Sequence, residues 1–335
     1  VANFQDNENK SYAREWLAAA GQQGEAHSDF IQPLTPPPID SLPFEQLLRF
    51  WQHPVRAFFQ QRLRVNFRAE EDDIPDDEPF TLEGLSRYQL NQQLLNTLIE
   101  EQDVSAMFRR FRAAGELPYG AFGELVWETQ RLEMQALAER VMAERQQAQS
   151  MEIDLQCGGV NLTGWLQQVQ PDGLLRWRPS LLSVSQGMQL WLEHLVYCAS
   201  GGTGESRLFV RKEGEWRFPP LAPAEAQAYL NELVDGYLLG MSQPLLLLPE
   251  SGGAWLKACY DAEKDVILMD EETQQKARSK FLQTYEGNMV VSGEGADIWY
   301  QRLWRSLEPA HYEEIIAQTQ RYLLPLYRYH RSTQI

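Results

Sequence analysis

Apolar side chains recur at three- and four-residue intervals through the first half of the chain, which predicts helices. From Ser41 this spacing, together with a high aromatic content, predicts two buried helical stretches. They are interrupted at His53-Pro54, because the residue before a proline disfavours the helical conformation. Three longer helices are predicted at residues 82–100, 104–114 and 120–149. The apolar side chains expected on one face of the last helix are Leu125, Leu132, Ala136 and Val141.

Short β-prone segments replace the helical spacing between residues 151 and 184. They predict a three-stranded meander with a tight hairpin at Asp172-Gly173. Ser185 then opens a helix that ends at Gly201-Gly202, and a second hairpin is predicted around Glu213-Gly214. The resulting order of helix, three strands, helix and strand predicts an α/β (α+β) fold.

The remaining sequence predicts further helices and defines the expected domains. A helix at residues 9–20 precedes a proline-rich linker, and the C-terminal part is expected to contain helices at 224–241, 272–285 and 309–324, a buried strand at 245–248 and a hairpin over 255–270. We expect an N-terminal helix with its linker at 1–40, a helical segment at 41–150, and a core at 151–335 with a hairpin insertion and a C-terminal helix. Because the sequence begins at Val1, we also expect further domains on its N-terminal side.

The composition is that of a globular protein, since 43% of the 335 residues are hydrophobic and 23% are charged. No apolar run is long enough to span a bilayer, so we expect no membrane association. The sequence has 30 Lys and Arg against 47 Asp and Glu, a net charge of −17, which argues against a stand-alone binder of nucleic acid. Cys157, Cys198 and Cys259 lack the spacing of a disulfide framework or a zinc site, which predicts a reducing, cytoplasmic location.

Motifs for phosphate cradling, dinucleotide binding and the common hydrolase chemistries do not occur in the sequence. An acidic run at residues 68–79 is expected to be a solvated loop rather than a metal site. His194 lies in an apolar helical segment and is expected to be a packed imidazole rather than a catalytic base. The individual motifs therefore indicate no enzyme activity.

Several longer blocks of the sequence resemble one protein family. They are FWQHPVRAFFQQRL at 50–63, SQGMQLWLEHLVYCA at 185–199, SGGAWLKACYDAEKD at 251–265, EGNMVVSGEGADIWYQRLWR at 286–305 and QRYLLPLYRY at 320–329. Together with the element order they resemble the C-terminal, nuclease-like region of the exodeoxyribonuclease V gamma subunit family, RecC, of the RecBCD helicase-nuclease. The resemblance implies a PD-(D/E)xK restriction-endonuclease-like core with helical additions and a degenerate active site.

Metal-dependent cleavage of DNA needs carboxylates that hold Mg²⁺ and usually a lysine near the reacting water. The RecB-type pattern has an acidic residue or His on a leading helix, a strand Asp, D/E-x-K on the next strand and Q-x-x-x-Y on the following helix. The resemblance places at these positions Glu124, Gln167 (if Gly164 aligns with the motif Gly), Arg176, Arg178 and Gln189, with Glu193 in place of the Tyr. One carboxylate of three remains, and fixed guanidinium charges repel Mg²⁺. We therefore expect no catalysis, no metal and no cofactor.

The resemblance also implies a function. The implied role is a non-catalytic assembly and DNA-guiding domain in a complex that processes double-strand DNA ends for recombinational repair and acts as an ATP-dependent exodeoxyribonuclease and helicase. RecB-type and RecD-type subunits are the implied partners in a heterotrimer, and the duplex end and the separated strands are the implied DNA ligands. A strand-splitting pin is implied as well, and the hairpin at residues 260–265 is the candidate for it. The candidate DNA-contact residues are Arg176, Arg178, Tyr260 and Lys264.

Two alternatives stay open at the level of sequence. The chain is a metal-dependent nuclease if Glu124 acts with another acid such as Asp154 or Asp172, or a stand-alone single-strand binder, which the net charge opposes. Arg176 and Arg178 either contact phosphate or, the preferred interpretation, are surface residues that pair with nearby acids, so their replacement by alanine is expected to leave folding intact. Alternating Arg and Tyr in the segment 321–331 suits stacking and phosphate contact, although a packed helix end is preferred.

Overall fold

The computed structural model describes residues 33–67, 84–289 and 291–331. The predicted helix at 9–20 and the acidic run at 68–79 lie outside these ranges. Contacts divide the chain into two units, Val1–Leu34 and Thr35–Ile335, and every element described below belongs to the second unit. The predicted division into three parts at residues 40 and 150 stays a prediction.

The first helices confirm the predicted interruption at His53-Pro54. A three-residue strand, β1 (Ser41–Pro43), leads into α1 (Phe44–Gln52), which is followed by α2 (Pro54–Ala57) and a π-helical turn (Phe58–Arg62). The side chain of His53 accepts the backbone N–H of Arg56 at 3.1 Å and so caps α2. As predicted, the aromatic side chains of this pair are buried: Phe44, Phe50, Trp51, Phe58 and Phe59.

Three helices, α3 (Gly84–Ile99), α4 (Ser105–Ala113) and α5 (Ala121–Glu144), follow where helices were predicted and share a core. The predicted apolar face of α5 was wrong. Val141 is buried, but Leu125 and Leu132 are 64% and 55% exposed, because roughly 100° of rotation per residue places them on the opposite side of the helix. The buried side of α5 consists of Trp127, Met134, Leu137, Ala138 and Val141. The helix is therefore apolar on two sides.

The central sheet contains the predicted meander of β2 (Gln149–Cys157), β3 (Val160–Gln170) and β4 (Gly173–Arg178). The β3–β4 turn is formed by Pro171 and Asp172, one residue earlier than predicted. A crossover through α6 (Val184–Ala199) brings β5 (Glu205–Val210) parallel to β4, and β6 (Glu215–Phe218) pairs antiparallel with β5. Helix, three strands, helix and strand thus occur in the predicted order, and the fold is mixed α/β with a mixed sheet.

The second edge of β3 is shared by two other strands. While β2 pairs along the whole of one edge, β1 pairs in parallel with residues 161–163 of the other, and β4 pairs only with Val169 and Gln170. No strand among the described residues covers residues 164–168 on this edge. We call this interval the strand gap.

Helix α6 packs against the sheet and contains the fully buried His194. Its Nε2 lies 2.9 Å from the carbonyl oxygen of Pro219 and its Nδ1 lies 2.7 Å from the hydroxyl of Ser206. Since a carbonyl only accepts, Nε2 carries the proton, and Nδ1 accepts from the serine. Burial lowers the pKa of His194 to about 4, so the imidazole is a neutral, packed side chain, as expected from the sequence.

Acidification is expected to reveal His194 in the stability of the protein. Between its folded pKa of about 4 and its ordinary value of 6.5, the unfolded chain binds a proton that the folded chain excludes. The folded state therefore loses about 1.4 kcal/mol per pH unit as the pH falls through this window. In urea unfolding at about pH 6.5 and about pH 5, the unsubstituted protein should lose about 2 kcal/mol more than His194→Gln. Equal losses would contradict this assignment.

Two predicted strands in the C-terminal part were wrong. After α7 (Pro223–Gly240), residues 245–248 are buried as predicted, but they form no strand ladder. The predicted hairpin over 255–270 is largely the helix α8 (Pro249–Cys259), and only β7 (Tyr260–Asp261) and β8 (Val266–Ile267) pair. A glycine pair early in α8 weakens its helical pattern, yet it is required by packing: a Cβ at Gly253 would lie 2.4 Å from Val184 and 2.7 Å from the hydroxyl of Tyr327.

The remaining elements are the predicted helices α9 (Glu271–Glu286) and α11 (Pro309–Tyr322), a 3₁₀ turn (Glu294–Ala296), and two short helices, α10 (Ile298–Gln301) and α12 (Leu324–Tyr329). Beyond α12, the N–H of Arg331 donates to the carbonyl of Arg217 in β6 at 3.0 Å. Among the described residues, every helix is too short or too polar to traverse a lipid bilayer.

Two carboxylates connect this C-terminal part to α6. Glu250, in the first turn of α8, accepts the backbone N–H groups of Val184 and Ser185 at 3.0 Å each. Glu294 in turn accepts the N–H groups of Glu250 and Ser251 at 3.1 and 2.7 Å. Each carboxylate thus satisfies donors at the start of another helix. Burial raises the pKa of Glu294 to about 7 in spite of these bonds.

Candidate functional site

The strand gap contains the guanidinium of Arg176, from β4. Its Nη2 donates to the carbonyl of Gln167 at 2.8 Å, and its Nη1 donates to the carbonyl of Gln168 at 3.1 Å. Its Nε donates to Glu193 Oε2 at 2.7 Å, and both side chains of this ion pair are 20% exposed. Arg176 therefore joins β3, β4 and α6 through one planar cation.

The backbone of β3 is shaped to receive this cation. Consecutive carbonyls point to opposite edges of a regular strand, so two neighbouring carbonyls reach one guanidinium only where the pleat is broken. Gln168 supplies the break, because its φ of 56° lies in the left-handed region. Glu193 lies on the turn of α6 that faces β4, since β4 is followed directly by this crossover helix.

This arrangement neutralises charge but cannot abstract a proton. A guanidinium remains protonated at any physiological pH and offers no lone pair, so Arg176 is neither a general base nor a metal ligand. It donates to Glu193 and to two main-chain carbonyls, and its positive charge opposes the entry of a second cation. Arg176 is thus an internal tie and is more enclosed than the surface residue expected from the sequence.

The structure gathers some of the predicted site residues and separates others. Gln167 lies at the strand gap, and its side chain accepts the Ser150 hydroxyl at 2.6 Å, while Gln189 is half-buried one helical turn before Glu193. Arg178, at the end of β4, is exposed and has no ion pair with any residue that the structure describes. Glu124 belongs to the helical region, where it pairs with Arg112 at 3.6 Å.

The acids of the nuclease alternative are also dispersed. Asp154 lies opposite Thr163 on the exposed face of β2, and Asp172 occupies the β3–β4 turn, where it accepts the side-chain amide of Gln146. Within the described ranges, no three His, Cys, Asp or Glu side chains are grouped so as to hold a metal ion.

The two candidate DNA-contact residues of the hairpin have different surroundings. Lys264 pairs with Asp261 at 3.1 Å in the short β7–β8 turn. The hydroxyl of Tyr260 donates to Asp265 at 2.9 Å, and partial burial raises the pKa of Tyr260. The ring of Tyr260 lines a cavity of about 380 Å³ between α8, β7 and the end of α12, which we call the C-terminal cavity.

Several residues of these two sites were missed by the sequence analysis. Glu193 was considered only as a replacement for a motif Tyr, although an acid on a helix that follows a strand Arg is a signal for an ion pair. Lys257 and His330, which line the C-terminal cavity with Arg331, carry no recognisable motif. They come together only because α8 and α12 pack next to each other.

Comparison with known proteins identifies a family for these features. The sequence profile of the RecC C-terminal domain matches residues 39–260. The RecBCD enzyme subunit RecC of Escherichia coli K12 is 69% identical over 98% of this chain and 29% of its own length. The RecC subunit of Buchnera aphidicola from Acyrthosiphon pisum is 32% identical over 84% of the chain and 26% of its own length. That of Mycobacterium tuberculosis H37Rv is 24% identical over 73% and 23%.

The chain spans less than a third of the length of these relatives. The profile match nevertheless covers the meander, the crossover helix and the strand gap, together with α1 to α5. On this evidence the chain belongs to the RecC C-terminal domain family.

Proposed function

We propose that this chain is a non-catalytic assembly and DNA-guiding domain of a RecBCD-type complex, which processes double-strand DNA ends for recombinational repair. The relatives are named as subunits of such an enzyme, which supports a role within a complex. The observation that carries the non-catalytic part is Arg176, whose guanidinium fills the strand gap and is tied to Glu193.

The core of this domain is, in our proposal, a degenerate PD-(D/E)xK nuclease. The order of α5, the meander, α6 and β5 agrees with that fold. The positions that correspond to the nuclease motifs include Gln167, Arg176 and Gln189, which lie on β3, β4 and α6 around the strand gap. A guanidinium at this place supplies internally the positive charge that Mg²⁺ would supply in an active enzyme.

A cleavage assay tests the absence of catalysis. Linear DNA incubated with the chain in Mg²⁺ or Mn²⁺ should remain intact, because the strand gap offers no set of metal-binding carboxylates. The matched variant is Glu124→Ala, which removes the acid at the leading-helix position. Cleavage that is lost in Glu124→Ala would overturn the proposal and establish the alternative, a metal-dependent nuclease that uses Glu124.

The outer side of α5 supports the assembly role. Phe122, Leu125 and Leu132 are 68%, 64% and 55% exposed, and Tyr119, just before the helix, is 89% exposed. A helix that is apolar on two sides is usually buried on both, and apolar patches of this kind mark interaction surfaces. In our proposal a RecB-type or RecD-type subunit covers this side of α5.

Calorimetric titration with the RecD-type and then the RecB-type subunit tests this assignment. Binding to the 335-residue chain should be at least about tenfold weaker for Leu125→Glu/Leu132→Glu, since the substitutions bury charge in the interface. Met269→Glu, at a side chain that is 72% exposed elsewhere, is the control and should bind normally. Unchanged binding of the α5 variant would remove this surface from the proposal, and no binding of either subunit would reject autonomous docking.

The proposal also includes the DNA ligands and the location. The duplex end and its separated strands are the DNA of the complex, and the β7–β8 hairpin remains the candidate for a strand-separating element, although only Ala262 to Asp265 form its turn. A cytoplasmic location agrees with three free, buried cysteines, Cys157, Cys198 and Cys259.

A further inference from the structure

The C-terminal cavity combines aromatic rings with positive charge. Its lining includes the rings of Tyr260, Tyr327 and His330 and the cationic side chains of Lys257 and Arg331. With a volume of about 380 Å³ it falls in the range of small-ligand sites and is too small for a duplex. In a chain whose net charge is −17, such a cationic cavity is an exception.

The rings are held in place by contacts behind them. Trp216 packs edge-on against both Tyr327, with ring centres 5.6 Å apart, and His330, with ring centres 4.8 Å apart. His330 Nδ1 also accepts the backbone N–H of Arg217 at 3.3 Å, and the hydroxyl of Tyr260 is bound to Asp265. Because these rings are fixed before any ligand arrives, little conformational entropy is lost when a flat group stacks on them.

The charge of Lys257 and Arg331 is available to a ligand. Neither side chain forms an ion pair with an acid among the described residues. The neighbouring acids are already engaged, since Asp261 pairs with Lys264 and Asp265 pairs with Arg328 at 2.8 Å.

The exposed Glu263 at the hairpin tip is the remaining acid of this turn. Burial lowers the pKa of His330, and the charges of Arg331 and Lys257 lower it further, which places both cations near its ring. The imidazole is therefore neutral near pH 7 and contributes an aromatic surface rather than a third charge.

We infer that the C-terminal cavity binds a nucleoside phosphate, whose base stacks on the rings of Tyr260 and His330 and whose phosphate is held by Lys257 and Arg331. Aromatic side chains that stack on bases and cations that neutralise phosphate are the two components of single-strand binding sites. The ligand is either one nucleotide of a DNA strand or a free nucleotide, and both share this chemistry. Only the preference for a DNA strand rests on the proposed function.

Fluorescence anisotropy at low salt tests the inference with the 335-residue chain and a labelled oligothymidylate of about 12 nucleotides. Lys257→Ala/Arg331→Ala should bind about tenfold more weakly, and the slope of log K against log salt should fall by about 0.7 per cation removed. The control, Lys276→Ala/Arg305→Ala, removes the same charge from exposed sites elsewhere and should bind normally.

Two variants at Tyr260 separate stacking from charge. Tyr260→Ala removes the ring and should weaken binding about tenfold, whereas Tyr260→Phe keeps the ring, loses the bond to Asp265 and should bind as the unsubstituted chain does. Circular dichroism and urea unfolding establish that each variant is folded. Equal binding of Tyr260→Ala and Tyr260→Phe would overturn the stacking of a base.

Competitors identify the source of the ligand. Displacement by an excess of thymidine monophosphate but not by inorganic phosphate supports a nucleoside phosphate site. Tighter binding of the monophosphate than of the strand identifies a free nucleotide as the ligand. Equal competition by inorganic phosphate, equal losses in the two double variants, or no binding of either probe at low salt would each overturn the inference. None of these outcomes affects the titrations with the partner subunits, so the proposed assembly role is judged separately.

Discussion

Replacing Arg176 by alanine is expected to lower the free energy of unfolding by about 3 kcal/mol. The substitution removes an ion pair with Glu193 and the donors to two carbonyls of β3, and it leaves these acceptors in a partly enclosed gap. Water enters such a gap only partly, so the lost bonds are not fully replaced. Urea unfolding followed by circular dichroism measures the loss.

Arg178→Ala is the matched control for this prediction. Arg178 lies two residues away on the same strand, is exposed, and should change stability by no more than about 0.5 kcal/mol. Glu193→Gln keeps an acceptor for Arg176 but removes its charge, so it should cost less than Arg176→Ala. A loss for Arg176→Ala as small as that for Arg178→Ala would show that the strand gap is held by other contacts.

Replacing Gly173 by alanine is expected to cost about 4 kcal/mol or more. Gly173 begins β4 with a φ of 129° and pairs with Gln170 and with Glu205 of β5. A Cβ there would lie 1.9 Å from the carbonyl oxygen of Glu205, so the β4–β5 ladder would have to separate. We expect a variant that is largely unfolded at 37 °C or accumulates as insoluble protein.

Gly159→Ala distinguishes this steric effect from conformational strain alone. Gly159, in the β2–β3 turn, also has a positive φ, 93°, but an added Cβ would meet no atom within 4 Å. The cost should therefore be about 1 kcal/mol, from the backbone conformation only. Thermal unfolding of the two variants gives the comparison, and similar losses would mean that crowding against Glu205 is not what requires glycine at 173.

The regular elements were predicted well where one local signal dominated. The proline after His53 interrupts the first helix as expected, and alternating apolar residues mark the meander. The prediction failed where tertiary packing overrides local preference. The glycines of α8 lower its helix propensity but allow the close approach of Val184 and Tyr327, and the strand β1 is only three residues long and contains a proline.

The candidate sites were predictable only in part, for a related reason. The loss of nuclease motifs can be read from Gln167 and Arg176 as single positions, given the family resemblance. The bonds of Arg176 depend on the left-handed conformation of Gln168, an unremarkable glutamine in sequence, and on the angle between β4 and α6. The C-terminal cavity joins Lys257 and Arg331 from segments more than seventy positions apart, which no local pattern encodes.

The bond from Arg331 to β6 has a consequence for aggregation. β6 is the last strand of the sheet, and such an edge can recruit strands of other molecules. The N–H of Arg331 and the imidazole of His330 occupy the carbonyl and the N–H of Arg217 on this edge. The end of the described chain thus acts as a cover that keeps the sheet monomeric. Its removal is expected to promote edge-to-edge association of folded molecules, at protein concentrations where the intact chain stays dispersed, before any loss of helix or sheet.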